Sequence, residues 1–169
     1  KVFMMAIRVG VLRGGPSSEY DVSLITGQGV LDNLSRQKYK VKDILVSKDG
    51  IWHCDGLPTD LNRLSRTIDV ALIAMHGKYG EDGQVQRLLD GFKIPYTGSR
   101  SAPSAVAMNK TLTKEIFKKN GIKTPFGLTI SKEDMPGDVG RHVFNKMAGP
   151  WFVKPATGGS SVGTSLVKN

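Results

Sequence analysis

Lys154 is followed by Pro-Ala-Thr-Gly-Gly-Ser-Ser-Val-Gly-Thr, so one cation precedes three glycines and four hydroxyls within residues 154–164. Glycine lets backbone N–H groups converge on an anion, hydroxyls donate to the same oxygens, and a lysine adds a point charge. The stretch suits a flexible flap that closes on phosphate oxygens. A P-loop would need a lysine where Thr164 stands and a helix after it, whereas a strand pattern follows. A dinucleotide fingerprint would need three glycines after the first strand, and Arg13-Gly14-Gly15-Pro16-Ser17-Ser18-Glu19 lacks them and ends on a carboxylate that repels pyrophosphate. Gly159-Ser160-Ser161-Val162-Gly163 matches the G-x-S-x-G nucleophile elbow, but no acid and no His follows Ser161 to complete a triad. An ordinary glycine-rich hairpin is the alternative that composition leaves open.

Three more positions carry chemistry. Glu19 closes the first glycine turn, His76 opens His-Gly-Lys-Tyr-Gly-Glu-Asp-Gly, and Lys110 follows Asn109. On residue type alone each has a plain structural reading. Glu19 would cap a helix, His76 would be a hydrogen-bonded residue at a strand end, and Lys110 would be a solvated helix lysine. Glu81 and Asp82 favour the N-terminus of the helix that follows them.

The elements that must position these groups alternate in type. Residues 7–12 form a short apolar run before Gly14-Gly15. Between Ser18 and Ser35, Val22, Ile25, Val30, Leu31 and Leu34 fit one helical face, and Ser18 with Asp21 resembles a capping box. Gly27 and Gly29 weaken that helix by roughly 1 kcal/mol each unless it approaches the sheet closely. Residues 40–46 read as a second strand, 48–50 as a turn, and 69–75 as a nearly continuous apolar central strand. Val85, Leu88, Leu89 and Phe92 then share a helical face, and 93–98 is a short fourth strand. This order predicts an open α/β fold with a parallel sheet, whose strand ends at Gly14-Gly15 and His76-Gly77 form one crevice. A boundary falls near Ser99–Pro103. Beyond it, residues 109–121 form an amphipathic helix ended by Gly121, and strands at 126–130 and 151–155 flank a helix at 138–147. The glycine loop and a last strand at 164–167 follow, as an antiparallel hairpin with a flap.

Charge is uneven. Residues 1–101 hold 14 Lys/Arg and 11 Asp/Glu, a net of +3, and residues 102–169 hold 10 and 4, a net of +6. A basic second half suits an anionic ligand. No aromatic-studded basic groove argues for nucleic acid, and the lysines at 114, 118, 119 and 123 are spaced as a solvated helix face. No apolar run approaches the ~18 residues of a membrane span. Cys54 is the single cysteine, so an internal disulfide is excluded and a reducing cytoplasm is the expected setting.

The stretches RVGVLRGGPSSEYDVSL, ALIAMHGKYGEDGQVQ, PYTGSRSAPSAVAMNK and WFVKPATGGSSVG, in this order, resemble the amino-terminal portion of D-alanine–D-alanine ligase, within the ATP-grasp superfamily. The resemblance implies a pre-ATP-grasp substrate-binding domain at 1–101 and the incomplete start of an α+β ATP-grasp domain at 102–169. It implies ATP-dependent joining of two D-alanines through an acyl phosphate, for peptidoglycan synthesis in the cytoplasm, by a full-length homodimer with no membrane or nucleic-acid partner. Another ATP-grasp carboxylate–amine ligase and a non-catalytic α/β binding module are the alternatives. By resemblance, Glu19 pairs with the ammonium of the first D-alanine and His76 faces its carboxylate. Ser160 hydrogen-bonds with Glu19 and substrate. Lys110 and Lys154 contact ATP phosphates together with Gly159, Ser160, Ser161 and Val162, and neither serine is a nucleophile.

Departures accompany the match. Arg87 stands where the family usually has a small residue, and Pro16 and Tyr20 differ beside Glu19, so Tyr20 leaves the choice of small D-amino acid open. The family also uses Mg2+, held by a downstream Asp, Glu and Asn. After Asp138 this sequence has no Asp or Glu, so the metal ligands are expected downstream of residue 169. The chain reads as a truncated one without ligase activity of its own, prone to aggregation or disorder beyond about residue 102.

Overall fold

Val11, Leu12, Ile44, Val46 and Ala71 are fully buried, and they belong to three adjacent strands. The structure is a computed structural model that describes residues 6–133 and 136–168. Strand β1 (Ile7–Gly14) pairs in parallel with β2 (Tyr39–Val46) on one side and with β5 (Val70–Ile73) on the other. Two short strands, β3 (Trp52–Cys54) and β4 (Leu57–Pro58), extend the sheet antiparallel, in the order β4-β3-β2-β1-β5.

The sheet is therefore mixed, which corrects the all-parallel expectation. Two tight turns are the reason. Ser47 N–H bonds Ile51 O at 2.9 Å and Gly50 N–H bonds Ser47 O at 3.0 Å, which sends the chain straight back along β2. Asp55 and Gly56 both have positive φ, 50° and 82°, the geometry of a two-residue hairpin turn between β3 and β4. The expected fourth strand at 93–98 reduces to one parallel bridge between Ala71 and Tyr96. Pro95 has no N–H to extend that ladder.

Side chains of β1 alternate between the faces. Val9 and Val11 pack with Leu31, Val30 and Leu34 of helix α1 (Tyr20–Asn33). Leu12 joins Ile44 and Val46 in the larger core, with Leu64 of α2 (Leu61–Thr67) and Val85 and Leu89 of α3 (Gln84–Gly91). The buried stripe of α1 is Ser23, Gly27 and Leu31, and Val22 and Ile25 of the predicted face are 52% and 74% exposed. Small side chains win there because the helix lies close on the sheet. A Cβ on Gly27 would sit 2.5 Å from Arg13 Cβ, whereas one on Gly29 would meet nothing within 4 Å. On α3, Leu88 and Phe92 are likewise partly exposed, at 37% and 40%. The Ser18–Asp21 capping box does not form. The N-cap is Glu19, and it makes no side-chain cap bond.

The chain divides into two compact units, Lys1–Ala107 and Met108–Asn169, with α4 (Ser101–Met108) ending at the division. In the second unit, α5 (Lys110–Lys119) starts at Asn109, whose side chain accepts from Leu112 N–H at 3.1 Å, and it stops before Gly121 at φ 71°. Helix α6 (Pro136–Lys146) follows, then β6 (Trp151–Val153) paired antiparallel with β7 (Ser165–Val167) across the glycine loop. Residues 126–130 form no strand, contrary to expectation. Among the described residues no strand pairs with them, Thr129 is held by its hydroxyl, 3.2 Å from Thr111 Oγ1, and Phe126 and Ile130 are 66% and 47% exposed. Among the described residues after Ser104, none is buried. No described helix is long and apolar enough to cross a membrane.

Two outcomes follow from this packing. Gly27→Ala should lower unfolding stability by about 1–3 kcal/mol through overpacking, and Gly29→Ala should raise it by up to about 1 kcal/mol, both read by urea denaturation. Arg8 donates two guanidinium bonds to Asp69, the closer at 2.6 Å, and holds its carboxyl down at about 2. The folded value is depressed, so this stabilisation is present above the ordinary value near 3.8 and is lost as pH falls through about 2. Asp69→Asn should flatten the stability profile between those pH values.

Candidate functional site

β1 ends on two glycines with φ of 83° and 100°. A side chain at Gly14 would lie 2.3 Å from Val46 O, and Gly15 N–H bonds that same carbonyl at 2.7 Å. The turn leads to Ser17, whose Oγ accepts from Glu19 N–H at 3.1 Å. Glu19 is half-buried, and its carboxylate does not cap α1. It lies over Gly77 instead. A Cβ on Gly77 would be 2.6 Å from Glu19 Oε1 and 2.9 Å from Ser17 Oγ, at a backbone φ of 68°.

Gly77 belongs to the turn after β5. Its N–H donates to Glu81 Oε2 at 2.6 Å, so Glu81 shapes the turn and Asp82 serves the helix start, accepting from Gln84 N–H at 3.1 Å. His76 is half-buried, and its Nε2 lies 2.8 Å from Thr26 Oγ1. Glu19, Ser23 and Thr26 follow the i, i+4, i+7 spacing of one helix face. That face meets the end of β5 through a carboxylate over Gly77, a hydroxyl on Ala74 O and a hydroxyl on His76. Thr26 and Ser17 escaped the sequence reading. The seven-residue step from Glu19 was the available signal for Thr26, and it was hidden by attention to apolar positions. Arg87 is exposed on α3, away from these contacts.

The second unit carries its own constellation. Lys110, the first residue of α5, donates its backbone N–H to Ala156 O at 2.8 Å and its Nζ to Gly158 O at 2.9 Å. An isolated bridge between Asn109 and Thr157 lies beside them. Lys110 is thus held on the glycine loop, which its reading as a solvated lysine did not foresee. Lys154 follows β6 and sets its Nζ 5.7 Å from the centre of the Phe152 ring. Gly158, Ser160 and Gly163 have φ of 128°, 53° and 71°, and Thr164 N–H bonds Ser161 O at 3.0 Å. Gly159, Ser161 and Val162 complete the loop, with Val162 59% exposed. Lysines, loop N–H groups and hydroxyls are the group types that a polyanion would need. A shallow depression bounded by Phe144, Met147 and Trp151 includes none of these residues. Among the described residues no three His, Cys, Asp or Glu side chains converge to hold a metal ion.

Residues 8–65 and 56–99, together more than half of the chain, match the family model described as the D-Ala–D-Ala ligase N-terminus. The chain belongs to the D-alanine–D-alanine ligase family. A D-alanine–D-alanine ligase of Bacillus anthracis is 39% identical over 161 residues, which is 95% of this chain and 49% of that protein. The solved D-alanine–D-alanine ligase of Coxiella burnetii superposes with a TM-score of 0.86 at 27% identity, covering 96% of this chain and 57% of that one. The Bacillus anthracis ligase structure complexed with ATP gives 0.78 at 38% identity, covering 97% and 51%. The chain therefore spans about half the length of the curated family members it matches.

The contact of Glu19 with Gly77 is open to a direct check. Gly77→Ala strains the backbone and displaces the carboxylate together, at a cost of about 1–3 kcal/mol. In a Glu19→Ala background the second part disappears. A double-mutant cycle in urea should return a coupling of roughly 0.5–3 kcal/mol, and strict additivity would mean that the carboxylate lies elsewhere.

Proposed function

We propose that this chain is the amino-terminal portion of an ATP-dependent ligase that joins two D-alanines through an acyl phosphate for peptidoglycan synthesis, a cytoplasmic homodimer at full length. The observation that carries the reading is the Glu19 carboxylate, turned away from helix capping and held over Gly77 beside His76. A half-buried carboxylate over a bare backbone suits a small ammonium.

In this reading residues 1–101 bind the first amino acid and residues 102–169 begin the nucleotide-binding domain. Glu19 holds the ammonium, and His76, oriented through Thr26, faces the carboxylate to be activated. Lys110 and Lys154 neutralise phosphate charge, and the N–H groups of Gly159, Ser161 and Val162 orient the phosphate oxygens. Ser160 hydrogen-bonds substrate. ATP supplies the phosphoryl group that turns a carboxylate into an acyl group an amine can attack. The described residues do not fit Mg2+, so no step is assigned to the metal here.

Phosphate release from ATP by the ligase-length polypeptide, with D-alanine as the only amino acid, tests the reading. Glu19→Gln and Lys154→Ala should each lower kcat/KM by about 100-fold or more, the scale of removing one partner from a buried charge pair. Turnover with D-alanine that both variants retain would sink it. Turnover only with a different amino acid would favour another carboxylate–amine ligase, and D-alanine binding without turnover would favour a binding module.

A further inference from the structure

Tyr79 holds a backbone conformation that its side chain disfavours. Its φ is 75°, inside the left-handed region where a bulky aromatic is a rare outlier. Gly77 and Gly80 stand on either side, so the turn already contains residues that tolerate such geometry. Yet a tyrosine occupies this position, and its carbonyl and ring are both engaged. Its carbonyl accepts from Val85 N–H at 3.1 Å, in the first turn of α3. Its ring packs against the larger core, which includes Trp52 of β3, with Cδ1 3.5 Å from where a Cβ on Gly15 would lie. Burial raises the phenol's pKa.

These contacts tie three pieces together. Gly15 belongs to the turn that carries Glu19, Tyr79 to the turn that carries His76 and Gly77, and Trp52 to the sheet beneath both. Met75 sits in the same junction, with its Cε 2.8 Å from the Cβ position of Gly15. Within the second turn, Gln86 Nε2 donates to Gly80 O at 2.8 Å from a buried side chain. The turn is thus braced from α3 as well as from the sheet.

We infer that Tyr79 is a positioning residue of the crevice: its ring sets the spacing between the Gly14–Glu19 turn and the His76–Glu81 turn, and so the size of amino acid that fits between Glu19 and His76. The inference rests on the amino-acid reading of that crevice. It assigns Tyr79 no contact with substrate. A residue that only filled core volume would need neither the left-handed backbone nor the approach to Gly15.

Amide hydrogen exchange on the 169-residue chain separates the two roles. In Tyr79→Gly the backbone is relaxed but the brace is gone, so Gly15 and Gly77 should exchange about tenfold faster or more, while Val11 and Ile44 keep their rates. Tyr79→Phe keeps the ring and should stay within about threefold at all four amides. Tyr79→Leu, which keeps bulk without reaching Trp52, should accelerate the two turns in the same pattern should the glycine variant fail to fold. Unchanged turns, or equal acceleration of all four amides, would overturn the inference. D-alanine titrations followed at the His76 and Gly77 amides supply the second arm. Affinity should fall about tenfold in Tyr79→Gly and less than about threefold in Tyr79→Phe, and faster turns with unchanged affinity would also overturn it. If the unmodified chain gives no saturable response to D-alanine, the amino-acid reading fails, and the exchange rates still decide whether Tyr79 spaces the turns.

Discussion

One buried hydroxyl holds the first unit's crevice together. Ser23 is wholly inaccessible to solvent, and its Oγ accepts from Gly14 N–H at 2.8 Å while donating to Ala74 O at 2.9 Å. Both partners lie where a parallel ladder ends, so neither has a further strand residue to bond. Leaving either one unpaired in the interior would cost about 1–3 kcal/mol. The same bond draws α1 down between the ends of β1 and β5. The close approach requires small residues at 23 and 27, and it carries Glu19 and Thr26 to the turn after β5. The candidate site is thus a consequence of how two strand ends satisfy their backbone groups.

Glycines define the shape of what forms there. Gly14, Gly15 and Gly77 all have positive φ, and at each a Cβ would collide within 3 Å of a neighbour. At Gly77 the neighbour is the Glu19 carboxylate itself. The backbone there is bare because a charged oxygen needs the space. The glycine loop of the second unit differs in kind. A Cβ on Gly158 would meet nothing within 4 Å, and the loop is tied down at one end by Lys110. Gly163, at φ 71°, is the exception in that loop, because a Cβ there would lie 2.8 Å from Pro155 Cγ.

Much of this was legible in the residues. The β1, β2 and β5 runs, the turn at 48–50 and the hairpin around the glycine loop follow from apolar runs and turn chemistry. The face of α1 was misread because Val22 and Ile25 are apolar and Ser23 and Gly27 are not. Close packing with a hydrogen-bonding duty outweighed hydrophobicity at that helix. The β3–β4 hairpin carried the signal Asp55-Gly56, but its strands of three and two residues are too short to show alternation. The strand expected at 126–130 has suitable residues and lacks a partner, and periodicity alone does not report whether a partner exists. At the candidate site, Glu19 and His76 were singled out by motif, whereas the contacts Glu19–Gly77 and Thr26–His76 join residues 58 and 50 apart in sequence. No local pattern encodes such a meeting.

Charge separates along the same division as the fold. The groups drawn into the first unit's crevice are Glu19 and Glu81, which suit an ammonium, and a neutral or cationic ligand end would be selected there by electrostatics alone. In the second unit Lys110 is held on the glycine loop and Lys154 follows β6. The proposed reading gives the first unit an ammonium and the second a phosphate, as a reaction between an amino acid and a nucleotide requires. The chain is less suited to nucleic acid, which would need cations along one continuous surface. A carboxylate becomes open to amine attack only after its oxygen is made a leaving group, and in the proposed reading phosphate held by the second unit supplies that group. The carboxylate in the first unit and the lysines in the second would then answer two parts of one chemical requirement.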